Sequence, residues 1–143
     1  MSDDKQQKPS DIPAMKLELV PVPVSDVDRA KAFYVEKVGF RADHDVRPQE
    51  GARVLQMTPP GSACSIVVGT GLPEISDMEP GSVKALHLVV DNIAESRRLL
   101  LERGVEVGEI LDLGGILFAR FSDPDGNSWL LQEIPLRFKS GPK

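Results

Sequence analysis

Two stretches decide the fold: "LVPVPVSDVDRAKAFYVEKVGF", Leu19–Phe40, and "LHLVVDNIAESRRLLLERGVEV", Leu86–Val107. Each opens with an apolar, strand-like run and passes into a helical pattern. In the first, Ser25 with Asp28 three residues later makes a capping-box pattern. Val27, Ala30 and Tyr34 share one helical face, and Gly39 is placed to stop the helix. In the second, Asn92 and Glu95 start the helix, Ile93, Leu99 and Leu100 supply its apolar side, and Gly104 ends it. Val24 matches Val90 and Val27 matches Ile93, each pair 66 residues apart.

Three strand-like segments follow each helix. They are "FRADHDVR", "ARVLQMT" and "CSIVVG" in the first copy, and "VEVGEILDL", "ILFARFS" and "SWLLQEI" in the second. The last hairpin turns also correspond, "PPGS" against "DPDGN", both built on Pro and Gly. The chain is thus two βαβββ units, module one over 15–69 and module two over 83–136, joined by a Gly-, Pro- and acid-rich linker over 70–82. Neither half can bury its sheet alone. The expected fold is α+β, a single 15–136 domain in which the modules form an eight-stranded curved sheet with helices outside. Polar segments at 1–14 and 137–143 are expected to be flexible tails.

A chain of 143 residues, 27% charged, suits one soluble domain. A net charge of -5 without basic clusters argues against nucleic acid as a partner. No run reaches the roughly 20 apolar residues of a membrane span, and the N-terminus has no signal-peptide core. With Cys64 as its one cysteine the chain has no internal disulfide, so a cytoplasmic location is expected. Cys64 sits in an apolar strand pattern and is expected to be a buried small hydrophobe.

The stretches "VPVSDVDRAKAFYVEKVGF", "HLVVDNI" and "FSDPDGNSWLLQE", in this order and within a duplicated frame, resemble the vicinal oxygen chelate superfamily. This group contains glyoxalase I, bleomycin-resistance proteins and extradiol dioxygenases, and the resemblance runs from about Lys16 to Pro135. In metal-dependent members, His, Gln or Glu side chains from paired modules chelate a divalent ion in the sheet's cavity. Here the corresponding positions hold Leu19, Ala85, Leu130 and Ser65. A divalent ion needs about three or four N, O or S donors. Shifting the register by one residue gives Glu18, Lys84, Cys64 and Leu131, which is no better. The resemblance therefore implies the fold without a metal and without a cofactor.

Strand alternation predicts what shares the cavity face with those positions. His87 and Val89 follow Ala85, Ser128 and Gln132 flank Leu130, and Pro21 and Pro23 stand beside Leu19. Gln56 and Arg120 correspond across the repeat, with their orientation left open. His87 can serve as acid, base or hydrogen-bond partner, because an imidazole titrates near neutral pH; the plainer reading is a pocket-wall histidine. The expected ligand-binding set is His87, Gln132, Ser65, Arg120, Gln56, Leu19 and Leu130. His44 stands between Asp43 and Asp45, whose side chains alternation should turn away from the imidazole. Trp129 and Phe121 are expected in the core, and Asp123 and Asp125 as turn caps.

Two function classes follow. The first is a metal-independent small-molecule-binding protein of the glyoxalase/bleomycin-resistance type, holding an organic ligand in the cavity. The second is an enzyme of the same superfamily (lyase, isomerase or dioxygenase) using His87 as acid/base or a metal site not visible in the pattern. Monomer and homodimer both fit. Neither the ligand nor a reaction is legible in the sequence.

Overall fold

A computed structural model of the protein describes residues 11–135. The expected C-terminal tail lies outside the described residues, as do positions 1–10 of the N-terminal one. Module one contributes β1 (Leu19–Pro21), α1 (Val27–Lys31), β2 (Arg41–Val46), β3 (Arg53–Thr58) and β4 (Ser65–Thr70). Module two contributes β5 (Leu86–Val89), α2 (Ile93–Glu102), β6 (Leu111–Leu113), β7 (Ile116–Ser122) and β8 (Ser128–Glu133). The duplicated α+β architecture is present, its eight strands divided between two four-stranded sheets ordered β1-β4-β3-β2 and β5-β8-β7-β6. In each, the first strand runs parallel to the last and the remaining pairs are antiparallel.

The helix starts differ in one respect from the sequence reading. Asn92 caps α2 by accepting from the Glu95 N–H at 3.0 Å, but Asp26, not Ser25, caps α1, accepting from the Arg29 N–H at 3.0 Å. The 66-residue spacing itself sets Asp26 opposite Asn92. Ser25 is occupied elsewhere: its hydroxyl donates to Asp125 Oδ1 at 2.6 Å and its N–H to Oδ2 at 3.1 Å. After Lys31 the helix widens into a π-helical segment, Ala32–Val38, which ends on Gly39 at φ 97°. Glycine takes that left-handed conformation without the steric cost of a side chain.

That segment carries the rings that join the modules. Phe33 packs against Phe121 with centroids 6.3 Å apart, and Tyr34 and Phe40 lie 5.8 and 5.6 Å from Trp129. One core results, with Leu55, Met57, Ile66 and Val68 from sheet one and Ala119, Phe121, Trp129 and Leu131 from sheet two. Both sheets therefore turn their helix-side faces toward the same core. Their other faces point away from it.

Two further expectations are corrected. Of "VEVGEILDL" only Leu111–Leu113 pairs as a strand. Val105 and Val107 turn into the core, and the Gly108 carbonyl accepts from Arg97 Nε at 2.7 Å instead of from a strand. Cys64 is half-buried, in the turn ahead of β4, where its N–H donates to Ser62 Oγ at 3.1 Å.

Candidate functional site

The outer face of sheet two carries much of the expected set. The register pairs His87 with Leu130 and Leu130 with Arg120, and in the next row Val89 with Gln132 and Gln132 with Phe118. Leu111 pairs with Phe118 and extends that row. Alternation holds along β5 and β8 because their other face is committed to the core. The surface is open and apolar: Val89, Leu111 and Leu113 are 61%, 57% and 61% exposed.

His87 is held in one orientation. Its Nδ1 lies 2.8 Å from the Ala85 carbonyl oxygen, and its ring meets Phe118 edge-on at 5.8 Å. A carbonyl only accepts, so Nδ1 carries the proton, and in the neutral ring Nε2 presents a lone pair. Ala85 adopts φ 60°, rare for a residue with a Cβ. Its N–H donates to Ser128 Oγ at 2.8 Å. The strained residue at the expected chelating position thus aims a carbonyl at His87.

Leu19, Ser65 and Gln56 lie on the outer face of sheet one. Leu19 pairs with Ser65 across β1 and β4, and Gln56 pairs with Val67 and with His44. Gln56 and Ser65 line a hollow of about 470 Å³ together with Glu18, Asp43, His44 and Thr58. Arg120 lines a different hollow, beside Glu106 and Asp123. The seven expected residues thus divide between two faces of one chain.

The hollow in sheet one holds groups that the sequence reading passed over. A bulge in β2 between Ala42 and His44 breaks the alternation and brings Asp43 into the same hollow as His44. Asp45, in contrast, reaches the helix side, where Arg53 and Lys31 donate to it. Thr58 Oγ1 donates to Asp43 Oδ2 and lies 2.6 Å from Ser65 Oγ. The Thr58 hydroxyl, and then Arg41, hold the Asp43 carboxyl below the usual carboxylate range. Thr58 lies two residues from Gln56 on β3 and so shares its face, whereas the bulge in β2 has no local signal in the sequence.

A third cavity, about 380 Å³ and apolar, runs along α2 beside Val38, Phe40, Leu88, Leu99 and Leu131. The turn residues Asp123 and Asp125 act in structure. Asp123 accepts from the N–H groups of Asp125 and Asn127, both at 2.9 Å.

The positions where the superfamily resemblance implied metal ligands offer a poor donor set. Leu19, Ala85 and Leu130 carry no side-chain donor atom, and Ser65 Oγ is already bonded to Thr58. Among the described residues no three His, Cys, Asp or Glu side chains converge. These four positions by themselves do not make a chelating set.

Comparison with known proteins agrees with this architecture. The model of the Glyoxalase/Bleomycin resistance protein/Dioxygenase superfamily matches residues 16–131. The chain is 34% identical to the uncharacterized protein YetH of Bacillus subtilis (strain 168), over 80% of this chain and 94% of that one. Among solved structures it is similar to TnmS3, an antibiotic binding protein from Streptomyces sp. CB03234, with a TM-score of 0.76 and 38% identity over 87% of this chain and 99% of that one. A glyoxalase/bleomycin resistance protein from the same organism superposes with a TM-score of 0.69 at 40% identity, over 81% of this chain and 98% of that one. A superfamily member from Sphaerobacter thermophilus DSM 20745 does so with a TM-score of 0.73 at 30% identity, over 84% and 98%. The duplicated fold and these matches together place the chain in the Glyoxalase/Bleomycin resistance protein/Dioxygenase superfamily.

Proposed function

We propose that this chain binds a small organic molecule without a metal, on the outer faces of its sheets, and that a second copy completes each site. The observation that carries this reading is the division of the expected residues between two faces. His87, Gln132, Leu130 and Arg120 stand on one and Gln56, Ser65 and Leu19 on the other, with a common core between the sheets. A homodimer that sets the sheet-one face of one copy against the sheet-two face of another would gather both sets around one ligand. It would also cover Val89, Leu111 and Leu113. TnmS3, which the chain resembles over most of its length, is an antibiotic binding protein, and this supports the ligand-binding reading.

Apolar burial at about 25 cal/mol per Å² would supply most of the affinity, and His87 and Gln132 the orientation. The test is a thermal-shift screen of hydrophobic antibiotics and metabolites, followed by sedimentation and elemental analysis. A hit at 100 times its dissociation constant adds about 2.7 kcal/mol of stability. The expected result is a shift that survives EDTA, on a dimer with no stoichiometric metal. A monomer that binds as tightly, or a shift abolished by chelation and restored by one metal per chain, would overturn the reading.

One observation favours a second reading, an acid–base enzyme. The Ala85 carbonyl orients His87 with Nε2 free, as a general base requires. Under that reading His87→Gln abolishes turnover of a hit while leaving its binding within a few-fold.

A further inference from the structure

We infer that the hollow of module one selects hydrogen-bond donors on its ligand, because the chain Asp43–Thr58–Ser65 leaves Ser65 Oγ able only to accept. The inference rests on the ligand-binding reading and deepens it. Asp43 accepts through both carboxylate oxygens, Oδ1 from Arg41 Nε at 2.7 Å and Oδ2 from Thr58 Oγ1. An ionised carboxylate has no proton to return, so the single Thr58 proton is spent there. The 2.6 Å contact between Thr58 and Ser65 must then be made by the proton of Ser65. Both residues are 5% exposed, so bulk water has little access to the pair. What Ser65 turns to the hollow is a pair of lone pairs.

Among the neighbours Glu18 and Ser62 share this polarity, while Arg41, His44 and Gln56 on the same wall carry donors, so the selection is local to Ser65. Glu18 lines the same hollow with a second acceptor-only group. Ser62, also on its wall, spends its proton on the Cys64 carbonyl at 2.8 Å. A ligand hydroxyl or amine satisfies Ser65, whereas a ligand carbonyl placed there meets two lone pairs and stays unpaired. Leaving such a buried acceptor unsatisfied costs affinity. The substrate class is therefore an apolar molecule bearing a hydroxyl or amino group at its module-one end.

Arg41 makes the direction testable. In Asp43→Asn, Oδ1 stays with Arg41 Nε, so the new amide N–H₂ faces Thr58. Thr58 must then accept, its proton turns to Ser65, and the Ser65 proton swings into the hollow. The polarity reverses without removing any atom from the wall.

The experiment measures dissociation constants of β-naphthol, a donor, and methyl β-naphthyl ketone, an acceptor only, on the full chain at neutral pH. The quantity read is the ratio of the two constants. Wild type should favour β-naphthol; Ser65→Ala should shrink that preference by about tenfold, the loss of one hydrogen bond. Asp43→Asn should move it further in the same direction, toward the ketone. A ratio unchanged in both variants overturns the inference while the binding reading stands. Binding of neither naphthalene by wild type overturns the inferred ligand class, whereas the binding reading falls on its own screen. Should Asp43→Asn fail to fold, Ser65→Ala decides alone.

Discussion

The Tyr34 hydroxyl donates to Asp123 Oδ2 at 2.7 Å, joining the π-helical segment of module one to the last turn of module two. Trp129 Nε1 donates to the same hydroxyl at 3.0 Å, and Asn127 Nδ2 donates to Asp123 at 2.8 Å and to the Pro23 carbonyl at 2.8 Å. All four side chains are buried. The "DPDGN" turn is thus a joint between modules, made of groups that satisfy one another in the core.

Tyr34→Phe tests that joint. It leaves Trp129 Nε1 without an acceptor and Asp123 one donor short, which should cost about 2 kcal/mol in urea unfolding. A change below about 0.5 kcal/mol would mean that the joint relaxes freely.

Alkaline pH offers a second test, because Tyr34 is the one tyrosine of the chain. Burial, and then the Asp123 charge, push its hydroxyl well above the ordinary tyrosine range. A raised value means that the folded state keeps a proton the unfolded state releases. The stabilisation is complete below the unfolded value near about 10 and declines above it, by up to about 1.4 kcal/mol per pH unit. Tyrosinate absorbance should appear only with unfolding. A titration near the ordinary value in folded protein would show the hydroxyl to be accessible.

Asp45 gives the opposite sign. Hydrogen bonds from Arg53, both at 2.9 Å, and then from Lys31 at 2.8 Å hold it well below the carboxylate range. Its contribution is complete above the unfolded value of about 3.9 and is lost as pH falls through the lower folded value. Asp45→Asn should cost about 1–2 kcal/mol near neutrality, with Arg53 left to Asp28. The gap from wild type should close progressively in acid; a constant gap would contradict the assignment.

Two glycine variants separate strain from collision. At Gly81, φ 82°, a Cβ would stand 2.1 Å from the Asp125 carbonyl oxygen, whereas at Gly114, φ 67°, it would meet nothing within 4 Å. Gly114→Ala should cost about 1 kcal/mol, the backbone term alone. Gly81→Ala should cost at least about 2 kcal/mol more, because backbone must move. Equal midpoints would remove the collision.

Ala85→Gly should relieve the strain at φ 60° and raise stability by up to about 1 kcal/mol. The orientation of His87 is read separately by nitrogen NMR. The neutral ring should show a protonated Nδ1 and a bare Nε2 in wild type. The reverse tautomer would break the link to the Ala85 carbonyl.

The sequence by itself determined the two modules, most of their strands and the Asn92 cap. These depend on alternation, helical period and turn residues, all set within a few positions of the chain. It also determined which side chains share a strand face, so Ser128, Leu130 and Gln132 fall together in the register. Tertiary structure decided the rest. The Asp43 bulge, the engagement of Ser25 by Asp125 and the division of the expected residues between two outer faces each depend on partners roughly 15 to 100 positions away. The physical reason is the docking of Phe33, Tyr34 and Phe40 on Phe121 and Trp129. That contact buries the helix side of both sheets in one core and leaves each half of the candidate site facing outward.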